Sequence, residues 1–160
     1  MTHVDEILAA IGRFLNRPGV SRKLSVVLML GTGAVLAIAV WLVPDAEGHG
    51  THLQLGLNSC SFLTMTGQPC PMCGATTTFT LFGEAQPIAA IINQPFAALL
   101  FVLTVFLFVV SLTEVVLPRQ RWSRMFAVLE PYEERLSIGF LALMGLGWFY
   151  KAWLMGTILS

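Results

Sequence analysis

Charge is the scarcest commodity in this chain of 160 residues: Asp, Glu, Lys and Arg supply 11% of it, against about a quarter in a soluble domain. The formal net charge is zero, so no basic face argues for nucleic acid. A glycine-rich phosphate loop, a low-complexity tract and an internal repeat of solenoid or propeller period are all missing. No Ser-His-Asp set, no paired carboxylates and no charged transport pathway can be assembled from the residues present. Cysteine is limited to three positions, and lysine and arginine are absent throughout the long stretch from Pro44 to Pro95.

Apolar residues take the place of the missing charge, at 56% of positions with a mean hydropathy of +0.75. Three runs are long enough to cross a hydrocarbon core of about 30 Å at a rise of about 1.5 Å per residue. They are Leu24–Val43, Phe96–Leu117 (interrupted by Glu114) and Leu136–Leu159 (interrupted by Lys151). The expected fold is an all-α integral membrane protein, a single membrane domain over residues 1–160 with three transmembrane helices.

Basic residues orient the spans. Arg13, Arg17, Arg22 and Lys23 precede the first, and Arg119, Arg121, Arg124 and Arg135 lie between the second and third. Eight of the nine basic residues therefore mark one side, and only Lys151 opposes them. The positive-inside rule places residues 1–23 and 118–135 in the cytoplasm and residues 44–95 outside, in a multi-pass protein of the cytoplasmic (inner) membrane. An uncleaved anchor suits span one better than a signal peptide, whose apolar run is shorter. Lys151 is expected to snorkel outward, and Glu114 to pair with Arg119 or Arg135 near the interface.

Two cytoplasmic pieces carry helical amphipathic patterns. Val4, Ile7, Leu8, Ile11 and Leu15 recur at helical spacing, with Thr2 and Asp5 as a capping-box start and Pro18-Gly19 as a stop; Trp122, Met125, Phe126 and Leu129 repeat the pattern. Both resemble interfacial helices that bury one side among lipid headgroups, the alternative being packing against the protein's own spans or a partner. The outer segment is too long for a plain connection. Its prolines suggest short helices over Cys73–Phe82 and Ile88–Asn93, interfacial or re-entrant, with Pro95 opening span two. Gly31, Gly33, Gly139, Gly145 and Gly147 suggest close helix approach.

Cys70-Pro71-Met72-Cys73 is the chemical centre of that segment, with Cys60 upstream. Two cysteines three apart suit a disulfide, a redox couple or half of a tetrahedral metal site. The surrounding residues, Gly50-Thr51-His52, Gln54-Leu55-Gly56-Leu57, Cys60 and Thr66-Gly67-Gln68-Pro69-Cys70-Pro71-Met72-Cys73-Gly74-Ala75-Thr76-Thr77, resemble a family of small bacterial membrane proteins known as domain of unknown function 2752. The CPxCGxT core carries the resemblance over roughly Gly50–Leu100. Many members have arginine where this chain has Thr77, so no role of that arginine transfers. The family name implies no activity.

Three readings of the cysteines follow. An oxidising compartment favours a structural disulfide among Cys60, Cys70 and Cys73, with one thiol left over. A helix start at Cys70 would lower its pKa and make Cys70 and Cys73 a thiol-disulfide oxidoreductase couple, although no second pair relays electrons. A metal site would take His52, Cys60, Cys70 and Cys73 around zinc or copper(I); His49, in a Gly-His-Gly setting, reads as a solvated loop residue. The favoured expectation is a non-enzymatic cap held by a disulfide or a metal, and the alternative is the oxidoreductase. The lipid bilayer is the expected partner, and a protein partner or homo-oligomer is compatible with the sequence.

Overall fold

A computed structural model of the chain describes residues 18–157. The expected amphipathic segment at Val4–Leu15, with its cap at Thr2 and Asp5, lies outside those residues. The described residues form helices and turns without a strand. They are α1 (Pro18–Trp41), a 3-10 turn (Thr51–Leu55), α2 (Ser61–Thr66), α3 (Ala75–Gly83), α4 (Pro87–Asn93), α5 (Pro95–Val116), α6 (Arg121–Leu129), a second 3-10 turn (Glu130–Tyr132) and α7 (Glu133–Leu154). Three stretches are long and apolar enough to cross a membrane: Arg22–Trp41, Pro95–Val116 and the near-continuous Arg121–Leu154.

Local chemistry sets the ends. Pro18, expected as a stop for the preceding segment, is instead the first residue of α1, where its missing N–H costs nothing. Pro87 and Pro95 open α4 and α5 in the same way. The third long helix starts before Leu136 and stops at Leu154, short of the expected Leu159. The stop is a Schellman closure: the Thr157 amide bonds the Ala152 carbonyl at 3.1 Å and the Gly156 amide bonds Trp153 at 3.0 Å, with Gly156 at φ 70°. A hydropathy run continues past that turn because hydropathy does not register a left-handed residue.

The described residues divide into two compact units, residues 18–33 with 105–137 and residues 34–104 with 138–157. In the first unit Trp122 is buried, and its indole Nε1 donates to Ser25 Oγ at 3.0 Å. The pattern that suggested an interfacial helix is thus divided: Trp122 packs inward while Phe126 and Val128 on the same helix stay exposed. Glu114 accepts from the amides of Gln120 (2.7 Å) and Arg121 (3.1 Å), and its ion-pair partner is Arg121 at 3.5 Å, not Arg119 or Arg135. Arg121 Nη1 also donates to the carbonyls of Thr113 and Leu117. That set holds the end of α5, where carbonyls lack intrahelical donors.

The second unit has a cluster of half-buried aromatic rings, in which Phe82 stacks on Phe101 at 4.3 Å and Phe79 meets the same ring edge-on at 5.2 Å. Gln94 joins α4 to α5; its Oε1 accepts from the Ala97 amide at 2.6 Å, capping the first turn after Pro95. The glycine expectation also divides. A Cβ on Gly147 would lie 2.6 Å from Phe96 Cβ, whereas Cβ atoms on Gly139 and Gly145 would meet nothing within 4 Å. Gly147→Leu should therefore destabilise the protein by about 1–3 kcal/mol through overpacking, and Gly139→Leu should be near neutral. Thermal midpoints of the two variants in one detergent check this; equal shifts would contradict the packing at Gly147.

Candidate functional site: a cysteine cluster beside a buried ammonium

The cysteine pair lies in a turn rather than at a helix start. The Cys73 amide bonds the Cys70 carbonyl at 2.9 Å, closing a four-residue turn with Pro71 at its second position, where its fixed φ suits a turn. Gly74 follows as the N-cap of α3, at φ 83°. Two long side chains pin the turn from outside: Gln94 Nε2 donates to the Pro71 carbonyl at 3.0 Å, and Trp148 Nε1 to the Pro69 carbonyl at 2.7 Å. The helix expected from Cys73 begins at Ala75, so the helix-dipole argument for an activated Cys70 loses its geometry.

Neighbouring backbone amides act on Cys60 instead. Cys60 is the N-cap of α2, and the Leu63 amide is the first of the influences that hold its pKa below the ordinary thiol value, with burial working weakly against it. The sulfur closes no cap hydrogen bond of ordinary length, so the Leu63 and Phe62 amides act as an electrostatic environment rather than a tight cap. Cys60 and Cys70, on either side of α2, lie near enough for each to influence the other's ionisation. Cys70 itself is shifted up, chiefly by burial. Cys73 is buried and pushed up to about 11 by burial first and by Cys70 second, with Lys151 pulling the other way too weakly to prevail. All three cysteines are free thiols in the structure.

Lys151 does not snorkel. It is 1% exposed, and its ammonium donates to Asn93 Oδ1 at 2.8 Å, the Gly48 carbonyl at 3.0 Å and the Asn93 carbonyl at 3.4 Å. Asn93 Nδ2 in turn donates to Thr78 Oγ1 at 2.9 Å and the Gly74 carbonyl at 3.2 Å. The backbone must come close for this. A Cβ on Gly74 would meet the Gly48 carbonyl at 2.6 Å, and one on Gly48 would collide with Asn93 Oδ1; both residues also need positive φ. Thr77 joins through its hydroxyl, 2.8 Å from that of Thr51, which accepts from the Asp45 amide at 2.9 Å. Only Thr80 of the buried threonines bonds back to its own helix, at the Thr76 carbonyl. Sequence reasoning missed this network. The one available signal was a lysine within an apolar run alongside a Gly-His-Gly and an Asn-Gln pair.

His52 lies in the first 3-10 turn, and among the described residues no group of three or more His, Cys, Asp or Glu side chains is gathered closely enough to hold an ion. His49 Nδ1 lies 3.1 Å from the Glu47 carbonyl, a local loop contact.

Fold and site together define an all-helical protein with three membrane-length helices and a cysteine-bearing segment packed on a buried ammonium. Residues 60–108 match the model of a family described as a protein of unknown function, DUF2752, the family that the CPxCGxT core resembles. The match begins at Cys60 and takes in Cys70, Cys73 and Asn93, while His52 and Lys151 fall outside it. No curated protein and no solved structure matches the chain.

Two outcomes follow from this geometry. In the reduced protein near pH 8, iodoacetamide should modify Cys60 first and Cys73 last, because the Cys60 thiolate forms at lower pH and Cys73 is both buried and shifted up. Peptide mapping over time reads the order, and a faster Cys73 would contradict it. Asn93→Ala removes an acceptor from Lys151 and a donor from Thr78 and Gly74, so it should lower stability by about 1–3 kcal/mol. Ile92→Ala, at the exposed neighbouring position, should cost far less in the same denaturation assay.

Proposed function

We propose that this is a multi-pass protein of the cytoplasmic membrane whose cysteine-bearing segment lies outside the cytoplasm and is closed by a disulfide between Cys60 and Cys70. Its role is structural. The observation that carries the reading is the proximity of these two thiols, each of which influences the other's ionisation. Eight of nine basic residues support the orientation. On oxidation the two thiols lose two protons and two electrons to an extracytoplasmic thiol oxidant, and one S–S bond forms. The crosslink has a physical purpose, since α2 is six residues long and buries none of them. Closing so short a loop restricts the unfolded chain and stabilises the native one by on the order of 2–4 kcal/mol.

The oxidoreductase reading through Cys70 and Cys73 receives less support, because burial raises both thiols and an attacking cysteine needs a populated thiolate. Zinc or copper held by His52, Cys60, Cys70 and Cys73 lacks a convergent ligand set among the described residues. The test uses intact cells carrying the Cys73→Ser variant and a membrane-impermeant maleimide. Cys60 should label only after an impermeant phosphine reductant, and should label without reductant once Cys70 is also serine. Labelling of Cys60 before reduction would overturn the disulfide, and labelling only in opened cells would invert the orientation. Stoichiometric zinc or copper that is lost in Cys60→Ser would restore the metal reading.

A further inference from the structure

An open cavity of about 730 Å³ lies in the second unit, directly over the Lys151 network and outside the cysteine cluster. Its lining changes character with depth. Glu47, with a side chain 80% exposed, and Asp45, half-buried, contribute carboxylates toward the solvent side. Leu81, Ile92 and Leu154 supply apolar wall, and Lys151 at 1% exposure is the deepest charge.

The charges do not neutralise one another. Among the described residues no carboxylate lies within ion-pair distance of Lys151, whose ammonium is met only by uncharged oxygens. A buried charge without a counter-charge is expensive, and an anionic group entering the cavity would relieve that cost. One of the ammonium hydrogens is loosely held, 3.4 Å from the Asn93 carbonyl, and is the one that a ligand can redirect. A simple anion would nevertheless be repelled by Asp45 and Glu47. Asp45 Oδ1 accepts from the Glu47 amide at 2.9 Å, which leaves Oδ2 for a cation, and Glu47 has only a 3.8 Å contact with His49. The cavity therefore presents a positive floor, a negative mouth and apolar walls.

We infer that this cavity binds an amphiphile with a zwitterionic headgroup, its phosphate toward Lys151, its primary ammonium toward Asp45 and Glu47, and its acyl chain along the apolar wall. That is the chemistry of an aminophospholipid such as phosphatidylethanolamine, and three membrane-length helices put a bilayer source of it within reach. A quaternary ammonium cannot donate hydrogen bonds to the two carboxylates, and the glycerol headgroup of phosphatidylglycerol has no cation, so each is a poorer fit.

The full chain, purified in detergent and titrated with defined lipids, is read by native mass spectrometry. Phosphatidylethanolamine should be retained about fivefold better than phosphatidylcholine or phosphatidylglycerol, the scale expected of two partly exposed ion pairs. Asp45→Asn with Glu47→Gln should abolish that preference, and Ile92→Trp, which fills the cavity from an exposed position, should lower retention of all three lipids. If the double variant folds poorly, Glu47→Gln alone carries the same comparison at a solvent-exposed side chain. Equal retention of the three lipids by the native chain, or an undiminished preference in the folded variant, would overturn the inference. Cys60→Ser should leave the preference unchanged, which separates this site from the disulfide reading.

Discussion

An ammonium deprived of water must be given oxygen atoms, and at Lys151 two separate parts of the chain supply them. The lysine comes from α7, the Gly48 carbonyl from the loop after α1, and the amide of Asn93 from the end of α4. Asn93 has a carbonyl oxygen to give the lysine and an amide nitrogen to give Thr78 and Gly74, so one side chain satisfies both sides of the junction. Each contact constrains the others. Gly48 and Gly74 are tied to glycine by φ and by space, and the CPMC turn is placed because Gly74 must reach Asn93. Buried polar networks of this kind demand full satisfaction, because any orphaned partner is costly in a low-dielectric setting.

The cysteines take their character from that arrangement. Cys73 sits immediately before Gly74 and is drawn into the buried side, which raises its thiol and silences it. Cys60 stands at the start of α2, near the amides of Phe62 and Leu63, which shift its thiol down. Cys70 lies between them in sequence, and burial shifts its thiol up. Three identical side chains thus acquire three electrostatic environments. The proposed pairing crosses ten positions of sequence instead of the three that make CxxC so conspicuous.

Much of the architecture is legible from the residues in order. Long uncharged runs announce α1 and α5, and prolines at 87 and 95 open their helices because a first-turn N–H is dispensable. The CPxCGxT core points to the family that the match over residues 60–108 supports. The misreadings have identifiable causes. Lys151 looked like a snorkelling residue because its acceptors lie 58 and 103 positions away. Glu114 looked like a partner of Arg119 or Arg135, yet it caps the backbone of Gln120 and Arg121, a role that charge spacing cannot reveal. Gly139 and Gly147 are indistinguishable as letters, and only the position of Phe96 separates them.

The sequence by itself determined the helical class, the three membrane-length runs, the asymmetry of basic charge and the cysteine motif, since each depends on composition or on neighbours within a few turns. Tertiary structure decided how deeply each thiol is buried, which glycines are confined and where the lone lysine of the third long helix points. Those outcomes depend on distance through space and on desolvation. A thiol's pKa, a lysine's solvation and a glycine's clearance are properties of whatever is packed against them, and the chain brings those neighbours from far along its length.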